Sequence, residues 1–243
     1  AGMFDLFGES QEVVDADPFE QFMNAREWSD KERLNGEKDT LGLYVTGHPI
    51  DEYESELKHF VSRKLQELQP ARGRAQKMAG LVVDLRVKKT KRGENLCFVT
   101  LDDRSARIDV SLFGETYDEA RRLIQKDQVI VVEGEVAQDD YNGGLKVRGQ
   151  QVLSVADARI RYAKSLTIKA EAKALSHQSL RVLQESLKKA RAYQQGMPVV
   201  IDYSCAEAKG RVELGSEWIV SPDDDLMQSL REQFGNQSVS LIY

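Results

Sequence analysis

The sequence predicts an α+β protein of several domains: a helical N-terminal segment, a five-stranded closed barrel, and a small βαββαβ domain. Three observations predict it. Residues 75–155 break into five runs with the two-residue period of half-buried strands, with one short amphipathic helix between the third and fourth. Residues 19–69 place apolar side chains at one-face helical spacing. Residues 165–243 alternate strand-like and helix-like runs in the order βαββαβ. The boundaries read 1–20 for an apolar peptide and acidic linker, 21–74 for the helical segment, 75–155 for the barrel, 156–164 for a short helix or linker, and 165–243 for the last domain.

Phe19, Phe22 and Met23 open the helical pattern; Leu34 and the run Glu37 to Tyr44 continue it until Gly47-His48-Pro49. Asp51 is placed to cap a second helix through Tyr53, Leu57, Phe60 and Val61. Gln69-Pro70-Ala71-Arg72-Gly73 marks the entry to the barrel. Its strands run Met78 to Val87, Leu96 to Leu101, Ile108 to Phe113, Val129 to Val136 and Leu145 to Val155, with a helix over Thr116 to Ile124. Three strands, a helix and two strands is the order of the OB-fold, a small Greek-key barrel.

In the last domain, strands are expected at Ser165–Ile168, Pro198–Tyr203, Gly210–Leu214 and Ser238–Tyr243, in a split ferredoxin-like arrangement. One helix spans Ser176 to Ala190. Another starts at Ser221-Pro222-Asp223-Asp224, with Ser221 as the hydroxyl cap, and stops at Gly235.

The net charge is −6, but placement matters more than the total. Residues 1–70 carry 7 basic and 16 acidic side chains, whereas residues 75–155 carry 13 of each. A protein that holds nucleic acid by bulk charge would be basic, so any such role needs a local patch. The first hairpin tip supplies one: Lys88, Lys89, Lys91 and Arg92. In this fold the first-to-second and fourth-to-fifth loops flank the ligand groove. The second of those loops carries Tyr141, then Lys146 and Arg148. Cations would track phosphates while the ring stacks on a base. Arg104 and Arg107 could extend the track. The plain alternative is a solvated hairpin tip. Phe98 and Phe113 are expected to face the core.

Met3-Phe4-Asp5-Leu6-Phe7 beside an acidic linker reads either as a helix end packed on a neighbour or as a short peptide that docks into a partner's pocket. Cys97 and Cys205 read as buried reduced thiols. His48, His59 and His177 lie too far apart for a metal site, and His48 reads as a helix-ending residue. No metal, cofactor or catalytic constellation is expected. Trp218 is expected to pack, with partner binding as its functional alternative. No apolar run approaches the roughly 18 residues of a membrane span, and no secretory signal opens the chain. A cytoplasmic location is expected. The chain opens on Ala1 and is expected to be a piece of something longer.

Met3 to Gly8, the string Thr40-Leu41-Gly42-Leu43-Tyr44-Val45-Thr46-Gly47-His48-Pro49-Ile50, Leu101-Asp102-Asp103-Arg104-Ser105 and Asn142-Gly143-Gly144-Leu145-Lys146 occur in this order along the chain. Together they resemble the C-terminal region of the bacterial DNA polymerase III alpha-subunit family. The resemblance implies that Met3, Phe4, Asp5, Leu6 and Phe7 lie where the sliding-clamp peptide lies, with Met3 standing where glutamine is usual. It implies single-stranded DNA on the barrel and the tau subunit of the clamp loader on the last domain. It also implies that the catalytic aspartates belong to a palm domain upstream, so this segment is not itself an enzyme. Two other readings are a tRNA-binding OB module of an aminoacyl-tRNA synthetase and a protein-only scaffold.

Overall fold

The computed structural model describes residues 27–71, 73–139, 143–193 and 195–243. The chain forms two compact units, Ala1–His48 and Pro49–Tyr243. Phe19, Phe22 and Met23 lie outside the described residues.

The described part of the first unit centres on helix α1 (Asp30–Leu41). Ser29 caps it: its Oγ accepts from the Glu32 N–H at 3.2 Å, and the Glu32 carboxylate accepts from the Ser29 N–H at 2.8 Å. The helix stops at Leu41, earlier than the apolar pattern through Tyr44 suggested, because Gly42 takes the left-handed conformation at φ 76°. Glu37 then receives the N–H groups of Val45 and Thr46 and the Thr46 hydroxyl. These bonds, the hydroxyl first, hold its carboxyl below the usual range.

The second unit begins with a 3-10 turn, Pro49–Tyr53, and helix α2 (Glu54–Phe60). Asp51 therefore lies inside the turn and not at the cap position of α2; its carboxylate receives Arg104. The barrel follows: β1 (Ala75–Lys89), β2 (Asn95–Asp102), β3 (Arg107–Phe113), helix α3 (Gly114–Ala120), β4 (Val129–Gln138) and β5 (Leu145–Ser154). The strand order β1-β2-β3-β5-β4 closes on itself, which is the OB-fold. β1 is long because it pairs with β4 over its first half and β2 over its second, bending at an irregularity between Val82 and Asp84. Closure comes from a short parallel contact, Val110 opposite Val147 and Ser111 opposite Arg148. Met78, Val82, Val99, Leu101, Leu112 and Ile130 are among the side chains that fill the interior. Gly149 faces inward where a Cβ would lie 2.3 Å from Leu112 Cδ2, so any larger residue must displace that buried side chain.

Helix α4 (Val155–Tyr162) continues β5 without a gap, started by a capping box between Ser154 and Asp157. Of the two readings of 156–164, a short helix or a linker, the helix is the one present, ending at Tyr162. The last domain has β6 (Ser165–Glu171), helix α5 (His177–Lys189), β7 (Val199–Ser204), β8 (Lys209–Glu213), helix α6 (Asp224–Phe234) and β9 (Val239–Ile242). The element order is βαββαβ, but the sheet order is β8-β7-β6-β9. β7 lies directly beside β6 in parallel, Leu166 opposite Val199, so the first βαβ unit is not split and the arrangement is not ferredoxin-like. β9 takes the other edge of β6. Leu183 and Leu187 of α5 and Leu226 and Leu230 of α6 share one core with Leu166 and Ile168. Asp223, not Ser221, caps α6, accepting from the Leu226 N–H at 2.9 Å. Cys97 is buried, and burial raises its thiol pKa. Cys205 is only half-buried in the β7–β8 turn, where backbone N–H groups of Glu207 and Ala208 lower its pKa.

α2, α4 and α6 meet at Arg159, which is 2% exposed. Its guanidinium donates to Glu56 Oε2 at 2.6 Å and Oε1 at 3.1 Å, to Asp224 Oδ1 at 2.9 Å and to the Pro222 carbonyl at 2.8 Å. Burial works against its charge, but Glu56 and Asp224 outweigh it and hold its pKa above the ordinary value. The Tyr53 hydroxyl donates to the other Asp224 oxygen at 2.5 Å; burial and that carboxylate push its pKa up. Arg159→Ala would leave the buried Glu56 carboxylate with the weaker 3.5 Å contact to Arg231 and is expected to cost about 3–5 kcal/mol in urea unfolding. Adding Glu56→Gln should recover part of that loss.

Candidate nucleic-acid interface

On β2, Cys97, Val99 and Leu101 point into the barrel, so Leu96, Phe98, Thr100 and Asp102 point out. On β3, Ile108, Val110 and Leu112 point in, and Arg107, Asp109, Ser111 and Phe113 point out. The register lays these outward residues in rows. Nearest the first hairpin tip are Lys88, Leu96 and Phe113. The next row is Arg86, Phe98, Ser111 and Arg148. Then come Asp84, Thr100 and Asp109, and last Asp102 and Arg107.

The two phenylalanines therefore face outward, against the sequence expectation that they belong to the core. Phe113 is 40% exposed and Phe98 is half-buried. Each carries a cation: Lys88 Nζ lies 6.0 Å from the Phe98 centroid and the Arg148 guanidinium 5.4 Å from that of Phe113. The signal was present in the sequence, since both rings sit one position out of phase with the buried aliphatic set. Arg86 was missed as well. It leans toward Asp84 at 3.4 Å and Asp109 at 3.9 Å.

Lys88 and Lys89 end β1, and Lys91 and Arg92 sit in the turn, all four exposed. That turn is closed by Gly93 N–H to the Thr90 carbonyl at 2.9 Å and Thr90 N–H to the Glu94 carbonyl at 2.9 Å. Gly93 has φ 84°, a conformation that favours glycine. None of the four cations has an ion pair among the described residues. Lys146 and Arg148 are exposed on β5. Arg107 shares the face, but its Nε is bound to Asp102 at 2.6 Å. Arg104 is not brought to the face; it turns to Asp51 at 2.8 Å, and that carboxylate raises its pKa. Tyr141 lies outside the described residues, as do Met3, Phe4, Asp5, Leu6 and Phe7. Trp218 is half-buried against the core of the last domain.

The face thus divides. Toward the first hairpin tip it is cationic and aromatic; toward the β2–β3 turn it is offset by Asp84, Asp102 and Asp109. Such a surface on a closed barrel of this topology has the makings of a strand-binding groove, and residues 77–155 match the family described as OB-fold nucleic acid binding domain.

Residues 182–235 match a second family, DNA polymerase III subunit alpha, C-terminal domain. Over its whole length the chain matches the C-terminal region of the DNA polymerase III alpha subunits, as the sequence resemblance implied. It is 48% identical over 243 residues to that subunit from Pseudomonas aeruginosa, covering 100% of this chain and 20% of the relative. For the subunit from Vibrio cholerae the identity is 38% over 242 residues, 99% of this chain and 20% of that one. The chain spans about a fifth of the length of the curated relatives it matches. Among solved structures, the second OB-fold domain of replication protein A from Methanococcus maripaludis is 22% identical at a TM-score of 0.31, covering 38% of this chain and 93% of that one, too distant to bear on function.

Because Phe113 stands outside the barrel's core, Phe113→Ser is expected to leave unfolding stability within about 0.5 kcal/mol. A melting temperature that falls as for a core deletion would place the ring inside.

Proposed function

We propose that this chain is the non-catalytic C-terminal part of a replicative DNA polymerase alpha subunit, working in the cytoplasm and holding single-stranded DNA on the outer face of β2, β3 and β5. The observation that carries the reading is the pair of outward phenylalanines, each under a cation, beside the four exposed cations of the first hairpin tip. Bases stack on Phe98 and Phe113, while Lys88, Lys89, Lys91, Arg92, Lys146 and Arg148 meet phosphates. In the lower rows the acids engage Arg86, Lys126 and Arg107, so the cations without ion pairs, and with them the strand, lie toward the tip. Arg107 serves to neutralise Asp102, and Arg104 takes no part.

The match to that family supports two further contacts: Leu6 and Phe7 anchoring on the sliding clamp, and the last domain, Trp218 included, binding the tau subunit of the clamp loader. Residues 3–7 then supply processivity and the last domain supplies assembly, with no cofactor needed in this segment.

Phe98→Ala and Phe113→Ala are each expected to weaken oligo-dT binding by about 1–3 kcal/mol in a fluorescence titration. Replacing Lys88, Lys89, Lys91 and Arg92 by Ser should flatten the plot of log K against log salt by about 0.7 for each phosphate no longer neutralised. Equal slopes for the two proteins would move the DNA elsewhere. Leu6→Ala with Phe7→Ala should abolish capture of purified clamp while oligo-dT binding persists; retained capture would remove the peptide's assignment.

A further inference from the structure

The second unit also holds a cavity of about 420 Å³ between α2 and the turn that joins β2 to β3, within the usual size of ligand pockets. Its apolar lining is aliphatic: Ile50, Leu57, Val61 and Ala79. The acids at its rim are matched from within the protein. Asp51 is held by Arg104 at 2.8 Å and Glu54 by Lys64 at 3.5 Å. The Asp103 carboxylate accepts from the N–H groups of Leu65, Ser105 and Ala106 and from the Ser105 hydroxyl. Two rim cations, Lys58 and Arg63, have no ion pair among the described residues. The cavity therefore offers an apolar floor and a net positive rim.

That combination selects an apolar group carried beside negative charge. A nucleic-acid strand fits it poorly. No aromatic ring lines the cavity among the described residues, so a base has no stacking platform. On the strand face between the phenylalanines and the β2–β3 turn, Asp84, Asp102 and Asp109 engage Arg86, Lys126 and Arg107, so those cations are not free to carry a backbone from one to the other. We infer that this cavity docks an acidic peptide segment of a partner protein, with one large apolar side chain in the cavity and flanking carboxylates on Lys58 and Arg63. The site is separate from the DNA face and does not depend on it.

The test uses the 243-residue chain and a fluorescein-labelled peptide with one Phe flanked on each side by two Asp residues. Fluorescence anisotropy should show saturable binding that weakens with salt. Lys58→Glu with Arg63→Glu should weaken it about tenfold, through charge reversal at an exposed rim. Control peptides with Ser for Phe, or Asn for every Asp, should bind wild-type protein at least as poorly, a readout that needs no folded variant. Oligo-dT should leave the bound peptide in place. No binding by the wild type, equal binding by the controls or by a folded charge-reversed variant, or displacement by oligo-dT would each overturn the assignment; displacement would give the cavity to the nucleic-acid path.

Discussion

Arg159 is a full charge placed where water does not reach, and a guanidinium in that position is tolerable only if its donors are met. Glu56 meets two of them, Asp224 and the Pro222 carbonyl take another nitrogen, and Arg231 adds a weaker contact to Glu56 at 3.5 Å. The three helices involved come from before the barrel, directly after it, and inside the last domain. None can shift without leaving a buried charge unpaired, and that cost exceeds the gain from most single contacts. A hydrophobic seam could slide by a fraction of an ångström at little cost; a bidentate ion pair with fixed geometry cannot. The barrel and the last domain are consequently held in one arrangement. Whatever lies on the barrel's strand face keeps a set position relative to whatever binds the last domain.

A neighbouring aromatic cluster reinforces the same seam. Phe60 of α2 stacks on Tyr162 of α4 with centroids 5.5 Å apart, and Tyr162 donates to Glu133 of β4 at 2.5 Å. Lys77 of β1 lies 4.0 Å from the Tyr162 ring. These contacts bring the helices down onto the outer wall formed by β1 and β4, beside Ala79 and Val131. That wall is covered, whereas the wall of β2, β3 and β5 stays open. The one barrel therefore has a structural side and a side available to ligand, and the division follows from which strands the flanking helices cover.

The open side explains how a barrel with as many acids as bases can present a cationic surface. Its charges are sorted by row. Acids cluster toward the β2–β3 turn, where they bind Arg86 and Arg107, and exposed cations gather at the other hairpin. Bulk charge would have argued against nucleic acid; the register shows that the sum conceals a gradient.

The barrel's strands, its helix, the last domain's element order and the basic hairpin tip were legible in the chain itself, because each depends on neighbours a few residues away: two-residue alternation, Gly93 and Gly143 at turns, Gly235 after a helix. Even the outward phase of Phe98 and Phe113 was written there, although large apolar rings more often belong to a core. What tertiary structure alone decided were the partners of charges distant in sequence. Arg159 finds Glu56 from 103 residues away, Arg104 finds Asp51 from 53, and β7 rather than β8 settles beside β6. Local pattern specifies which face of an element is apolar, but a salt bridge or a strand neighbour depends on which elements the packed chain brings within a few ångströms, and no periodicity encodes that distance.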